Sequence, residues 1–136
     1  MKTITLLTLL ALVLSAPICT ASNLRVKVNT YGELADAVGD RLNDIDSIWV
    51  EGPIDSTDIR TLWNASFHGK LVYINLSTAT VKNHRIPPYA FYNPSEQNLP
   101  GNWVMLPLKE IVLPDDITEI GNSAFAEQYG NKIKLL

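Results

Sequence analysis

Histidines and carboxylates are the side chains of this sequence that could do acid–base or metal chemistry, and their spacing favours neither. His68 and His84 each lie in a predicted loop, with no second His, no Cys and no close carboxylate at ligand spacing. Asp115 and Asp116 follow Pro114, but adjacent carboxylates on a turn rarely face one substrate, so a solvated turn is the better interpretation. The chain also lacks a Gly-rich phosphate loop and a Gly-x-Ser-x-Gly elbow. The sequence therefore predicts no enzyme activity, no metal site and no cofactor.

Aromatic side chains are the other candidates, because Trp and Tyr combine a large contact area with a polar group that can hydrogen-bond. Trp49 and Tyr73 occupy strand-like segments, where they could serve recognition. Tyr92 and Trp103 flank a polar stretch near 93–103 that is rich in turn-forming residues. Exposed aromatics on a loop can stack on carbohydrate. The alternative is that Tyr92 and Trp103 pack the loop against the rest of the protein.

The N-terminal segment has the order of features that defines an export signal. A basic residue precedes an apolar run over 4–16, which is too short to span a bilayer as a helix. Small residues then lead to a cleavage site after Ala21. We therefore expect 1–21 to be a signal peptide, and the mature chain to be secreted or held at the cell surface without a transmembrane segment. Lipoprotein anchoring through Cys19 is disfavoured, because Ile18 stands where such signals usually carry a small residue.

Composition and charge narrow the class of protein further. Among 136 residues, 11 Lys and Arg stand against 14 Asp and Glu, a formal net charge of −3. This acidic balance argues against a nucleic-acid partner, which normally requires a basic patch. Without its leader the chain has no Cys, so a disulfide scaffold is excluded and the fold must rest on an apolar core.

The first part of the mature chain predicts alternating strands and helices. Leu24–Val28 alternates apolar and polar residues, as a short strand does. Thr30 and Glu33 form a capping-box pattern at the start of a predicted helix over Tyr31–Leu42. Asp55 predicts the N-cap of a second, shorter helix.

Four segments repeat one apolar spacing, in which the first, fourth and sixth residues are apolar. The segments begin at Ile45, Leu71, Leu108 and Ile133, at intervals of 26, 37 and 25 residues. Repeat periods in the twenties are typical of leucine-rich repeats. The long middle interval contains the polar stretch near 93–103, which we interpret as a loop inserted into one repeat.

One unit carries a specific motif. The segment 108–125 reads Leu-Lys-Glu-Ile-Val-Leu-Pro-Asp-Asp-Ile-Thr-Glu-Ile-Gly-Asn-Ser-Ala-Phe. It closely resembles one repeat of the BspA-like leucine-rich-repeat family, which reads L-x-x-I-x-L-P, then x-x-V/I-x-x-I-G, then x-x-A-F. Nine positions match at fixed spacing: Leu108, Ile111, Leu113, Pro114, Ile117, Ile120, Gly121, Ala124 and Phe125. Five positions of the preceding unit match less regularly: Leu71, Ile74, Leu76, Ala90 and Phe91.

The resemblance implies an α/β leucine-rich-repeat solenoid, with short stacked strands and irregular or helical return limbs behind an α/β N-terminal cap. It places the cap, with its two short helices, at 22–69, and about two repeats plus the start of another at 70–136. It also implies adhesion or contact with host matrix, as for some members of the family. The family often carries Cys after the Ala-Phe step, where this chain has Gln128.

Repeat strands of this kind would present a candidate ligand-binding face. In such strands the alternate positions point outward and stack in columns along the array. Two columns are predicted: Trp49, Asn75 and Val112 in one, and Ser47, Tyr73 and Glu110 in the other. The alternative for Trp49 is packing under the cap helix.

Taken together, these patterns predict a secreted or cell-surface, non-enzymatic binding protein for a protein or glycan ligand. The alternative is a truncated capping fragment of a longer repeat protein, with no independent activity. Because the sequence stops within an apolar strand-like segment, the repeat end is expected to be open, and self-association through it is a second expectation. A small hydrolase that uses His68 or His84 is the least favoured alternative.

Overall fold

The computed structural model describes residues 22–94, 98–99, 102–103, 107–126 and 132–135. The predicted signal peptide, Cys19 included, lies outside the described residues. The helices are α1 (Leu34–Val38) and α2 (Ser56–Phe67). The strands are β1 (Asn23–Lys27), β2 (Ser47–Ile54), β3 (Tyr73–Val81), β4 (Arg85–Ile86), β5 (Asn98–Leu99), β6 (Asn102–Trp103), β7 (Glu110–Leu113), β8 (Glu119–Ile120) and β9 (Lys132–Leu135).

A five-stranded parallel sheet in the order β1-β2-β3-β7-β9 forms the centre of the fold. Parallel neighbours need crossover connections, and α2 supplies the one between β2 and β3. Ile48, Ile74 and Ile111 align in one row across three strands, and all three are buried. The predicted α/β class is therefore confirmed.

The fourth apolar segment pairs in a different register from the predicted one. The sequence pattern aligned Ile133 with Leu108, the first residue of the preceding segment. In the structure Ile133 lies opposite Ile111 instead, so the equivalent segment begins three residues earlier than predicted. Ile133 fits the apolar spacing either as its first residue or as its fourth, and only the strand pairing distinguishes the two alignments.

Strand β2 passes through Gly52 and reaches Ile54. Gly52 allows this because its φ is +96°, and a Cβ there would lie 2.1 Å from the carbonyl oxygen of Val28. A register shift between Trp49 and Glu51 marks a bulge in the neighbouring strand β3, where the pairing moves from Asn75 to Thr78. The glycine therefore lets the chain after β1 approach β2 closely instead of ending the strand.

A second parallel contact joins the segments that follow β3 and β7. β4 pairs with β8, and farther along the Phe91 N–H donates to the Ala124 carbonyl at 2.8 Å. The rings of Phe91 and Phe125 stack with centroids 5.4 Å apart and planes 8° apart. Two residues before each Phe, Tyr89 and Ser123 have left-handed φ angles of +56° and +55°. The two Ala-Phe segments thus lie side by side in similar backbone conformations.

The first helix is shorter than predicted. The sequence indicated one helix over Tyr31–Leu42, but α1 has five residues and gives way to a 3-10 helix over Gly39–Asn43. Gly39 has a φ of +61°, which a continuous α-helix does not accommodate. The predicted capping box also fails, because Glu33 occupies the N-cap position and makes no side-chain cap bond.

The start of α1 is instead stabilised by the first turn of α2. The Asp55 side chain accepts hydrogen bonds from the N–H groups of Thr57 and Asp58, which confirms its predicted N-cap role. Asp58 is 1% exposed, and its carboxylate accepts from the N–H groups of Gly32 at 2.8 Å and Leu34 at 2.9 Å. A third bond comes from the N–H of Asp55 at 2.9 Å. One carboxylate therefore satisfies backbone donors of two helix starts.

One hydrophobic core joins the sheet, the helices and the segment that carries Phe91. Trp63 is the largest fully buried side chain, and its ring stacks on Phe67 at 4.8 Å. Within the predicted loop near 93–103, β5 and β6 form a two-stranded antiparallel pair, and the intervening residues lie outside the described ones.

Candidate recognition face

The two columns predicted from the repeats lie next to each other on one side of the large sheet. Strand pairing aligns the six residues as predicted: Trp49, Asn75 and Val112 in one column, and Ser47, Tyr73 and Glu110 in the other. Since side chains alternate between the two faces of a strand, both columns share one face. We call the surface formed by these residues, with Arg25 and Lys134, the strand face.

Trp49 is the aromatic centre of the strand face. Its ring centroid lies 5.2 Å from that of Tyr73, with the planes tilted by 45°. The guanidinium carbon of Arg25 lies 5.0 Å from the Trp49 centroid. Because Arg25 is on β1 and Tyr73 on β3, the indole is held between a cation on one side and a second ring on the other. Trp49 and Tyr73 are both half-buried, so Trp49 lies on the strand face and not under the cap helix.

Asn75 fixes the polar part of the same face. Its Nδ2 donates to the Tyr73 hydroxyl at 3.2 Å, and its Oδ1 accepts from the N–H and the hydroxyl of Ser77 at 3.0 and 2.6 Å. These bonds hold the amide and the phenol in one arrangement. A ligand would therefore meet a preorganised surface, which reduces the entropy cost of binding.

An ion pair lies at the other end of the strand face. Lys134 Nζ lies 2.9 Å from Glu110 Oε1. The hydrogen bond to Glu110, together with its negative charge, raises the pKa of Lys134 above the ordinary value of 10.5. At one edge of the strand face the Arg25 guanidinium lies over Trp49 and has no carboxylate partner among the described residues, and at the other edge Lys134 is paired with Glu110.

Val112 corrects one part of the predicted face. Its alignment with Asn75 is as predicted, but its side chain is 5% exposed. Val112 is a short side chain between strands on both sides, so it lies below the level of its neighbours. Ser47 is half-buried and completes its column. The exposed part of the predicted set therefore consists of Ser47, Trp49, Tyr73, Asn75 and Glu110.

Sequence reasoning missed Arg25 and Lys134. Strand pairing places Arg25 opposite Trp49 and Lys134 opposite Val112, so both continue one column outward. The alternation in Leu24–Val28 was a sufficient signal for Arg25, because it placed that residue on the polar side of a strand. Lys134 could not be found in this way, since the predicted register of the last segment was wrong by three residues.

Of the two loop aromatics, the structure describes the side chain of Tyr92 but only the backbone of Trp103. Tyr92 is 8% exposed, and its ring lies 6.3 Å from that of Tyr89 with planes 27° apart. It packs inward, which is the alternative considered for it, while Tyr89 is 45% exposed. The backbone of Trp103 pairs with that of Asn98 in the β5–β6 hairpin, and its side chain lies outside the described structure.

His84 has a carboxylate partner that sequence spacing did not reveal. Its Nδ1 lies 2.8 Å from Asp116 Oδ2, and both side chains are about half-exposed. The turn at Asp115 and Asp116 is exposed, as predicted. In the part of the chain that the structure describes, no group of three or more His, Cys, Asp or Glu is placed to hold a metal ion.

The comparisons with known proteins add no family assignment. No protein-family model and no curated protein matches this chain. Within the described residues, no helix is long and apolar enough to cross a membrane.

Proposed function

We propose that this protein is a secreted or cell-surface, non-enzymatic recognition protein whose strand face binds a protein or glycan ligand. The observation that carries the proposal is the half-exposed Trp49–Tyr73 pair, with Arg25 on the indole and Asn75 on the phenol. Trp, Tyr and Arg are the residue types enriched at binding hot spots. Trp and Tyr in particular bury a large area at a low cost in side-chain entropy.

A protein ligand suits the strand face better than a glycan does. Sugars bind aromatic side chains by stacking on an open ring face, but Arg25 and Tyr73 flank the Trp49 indole. Stacking of a sugar on Trp49 would require one of these neighbours to move. A protein can instead pack against the edge of the cluster and place a carboxylate on Arg25.

We also propose that the architecture is a leucine-rich-repeat solenoid of the BspA-like kind. The support is the alignment of Tyr73 with Glu110 in the large sheet, together with the stacking of Phe91 on Phe125 in the following segments. In a solenoid, each coil contacts its neighbour through equivalent residues. Export through the predicted signal peptide completes the proposal. Intact mass of protein recovered outside the cell should correspond to a chain that begins at Ser22.

The test of the strand face is loss of binding in a triple alanine variant. Tyr73, Asn75 and Glu110 are replaced together, and wild-type and variant proteins are applied to immobilised host-matrix proteins and to a panel of neutral oligosaccharides. The matched control replaces Asp36, Asp40 and Arg41, which are exposed residues outside the strand face. Both triple variants change the net charge by +1, so nonspecific electrostatic effects cancel in the comparison.

We expect the strand-face variant to lose at least about tenfold in affinity, which corresponds to 1.4 kcal/mol, while the control variant binds like wild type. Circular dichroism of both variants establishes that they are folded. Binding that survives in the folded strand-face variant would contradict the proposal.

A further inference from the structure

Two adjoining clefts lie between α2 and the segment that follows β4. Ser56, Pro87 and Pro88 line both clefts, so the two form one groove, which we call the proline groove. The cleft volumes are about 370 and 460 Å³, which is within the range of small-molecule sites. No strand-face residue lines either cleft, so a ligand here would be independent of the function proposed above.

Two cations of the proline groove have no carboxylate partner among the described residues. Lys82 Nζ lies 5.4 Å from the ring centroid of Tyr31. Arg60 Nη2 donates to the carbonyl of Tyr89 at 3.4 Å, and its guanidinium carbon lies 5.0 Å from the centroid of Trp63. Arg60 Nη1 is buried and has no hydrogen-bond partner among the described residues. The donors of the exposed Lys82 ammonium are therefore open to a ligand, and Arg60 adds a second positive charge to the lining.

The other charged residues of the groove are Arg85 and Asp55. Arg85 lies 3.0 Å from Glu119, which neutralises it. Asp55 is the acidic residue in the lining, and its side chain accepts hydrogen bonds from the N–H groups of Thr57 and Asp58. The lining of the two clefts carries three cations, Lys82, Arg60 and Arg85, against the single carboxylate of Asp55, so its net charge is positive. The groove therefore complements an anion, although the whole chain is acidic.

Neutral polar side chains make up most of the remaining lining. Hydroxyl and amide groups both donate and accept hydrogen bonds, as sugar hydroxyls do. The two prolines add flat apolar surface without backbone N–H donors. An acidic peptide would need an exposed strand edge or deep apolar pockets for its side chains, and the lining offers mainly polar groups. The neutral polar residues are Ser56, Thr57, Thr61, Asn64 and Asn83.

From this lining we infer that the proline groove is a binding site for an anionic oligosaccharide. Carboxylate or sulfate groups of the sugar bind Lys82 and Arg60, and sugar hydroxyls bind the neutral polar side chains. Pro87 and Pro88 contact the apolar face of a sugar ring.

The experiment is a calorimetric titration of the purified protein with short oligogalacturonates at low ionic strength. The wild-type protein should bind, and added salt should weaken binding because the contacts are charge-assisted. Lys82→Gln should weaken binding about fivefold. Lys109→Gln is the matched control, since Lys109 is exposed, carries the same charge and lines neither cleft. Circular dichroism checks the folding of both variants.

Parallel titrations identify the ligand chemistry. Preference for oligogalacturonate or for sulfated oligosaccharides of equal length supports the site and names its anionic group. Equal binding of neutral galacto-oligosaccharides would overturn the role of the cations. Tighter binding of an oligoglutamate peptide would overturn the carbohydrate class. No binding of any anionic sugar at millimolar concentration, or equal affinities of the Lys82 and Lys109 variants, would overturn the site itself.

Discussion

Single buried polar groups decide how the N-terminal part of this molecule is joined together. The Asp58 carboxylate lies in the core and accepts three backbone hydrogen bonds, two of them from the chain entering α1. A buried charge is costly unless it is fully hydrogen-bonded, and these donors meet that requirement. Asp58 therefore links the start of α2 to the start of α1, and it lies 24 residues from Leu34 along the sequence.

Asp58→Asn is expected to destabilise the protein by about 3 kcal/mol, because an amide nitrogen would then face a backbone N–H and leave it unsatisfied. Urea unfolding followed by fluorescence measures the loss. Asp36→Asn is the control, since Asp36 is exposed and its carboxylate has no comparable bonds. Equal midpoints for the two variants would show that the Asp58 bonds contribute little.

The Glu110–Lys134 pair gives a prediction about titration. Glu110→Gln should lower the pKa of Lys134 toward 10.5, since the carboxylate that raises it is removed. For a cation with a raised folded pKa, the contribution to stability is complete below the unfolded pKa and is lost as pH rises through the folded value. The stability difference between wild type and variant should therefore be constant through neutral pH and shrink only at alkaline pH.

NMR titration of the Lys134 side chain measures this shift. Glu51→Gln is the control. Glu51 pairs with Lys27 at 3.6 Å, and this pair lies at the other edge of the sheet, away from Lys134. An unchanged Lys134 pKa in the Glu110 variant would contradict the assignment of its cause.

At the scale of elements, backbone geometry decides where strands and helices end. Gly39 ends the α-helical part of the first helix, whereas Gly52 lies inside a strand that continues beyond it. Both have positive φ angles, but only Gly52 lies against another backbone segment, at Val28. Gly39 thus interrupts the helical conformation, whereas Gly52 allows two backbone segments of the same chain to lie close together.

Gly52→Ala should destabilise the protein by about 3 kcal/mol or more, because the added Cβ meets the Val28 carbonyl oxygen as well as an unfavourable φ. Gly32→Ala is the matched comparison, since Gly32 has a φ of +85° but no heavy atom within 4 Å of the added Cβ. It should cost only about 1–2 kcal/mol, the penalty for the backbone alone. Thermal unfolding of both variants separates the two effects, and similar losses would show that the close approach is unimportant.

The whole molecule is organised around one sheet and one core. The hydrophobic cluster extends from Val28 and Leu34, near α1, to Leu113 in β7 and Ala124 after β8. Because β2, β3 and β7 share this core, loss of packing around any one of these strands weakens the packing of the other two. The predicted boundary between cap and repeats near residue 69 therefore separates sequence patterns within one continuous core.

Phe91→Ala tests this continuity. Phe91 is fully buried and stacks on Phe125, so its truncation should cost about 4 kcal/mol. We expect one cooperative thermal transition for both wild type and variant, shifted to lower temperature in the variant, with the same midpoint by circular dichroism and by tryptophan fluorescence. Tyr89→Phe is the control at a neighbouring exposed ring. A variant that melts in two steps would show that the part before residue 70 and the part after it unfold separately.

The local pattern of the sequence was enough to predict the α/β class, the N-cap at Asp55 and the alignment of Trp49 with Asn75, because apolar spacing and capping depend on near neighbours. Contacts between distant residues were decided by the tertiary structure alone. Asp58 replaces the predicted cap of α1, His84 finds Asp116, and Ile133 pairs three residues out of the predicted register. The proline groove likewise exists only because α2 lies beside Pro87 and Pro88. Spacing along the chain carries the period of each element, but which elements face each other depends on how their apolar surfaces are buried together.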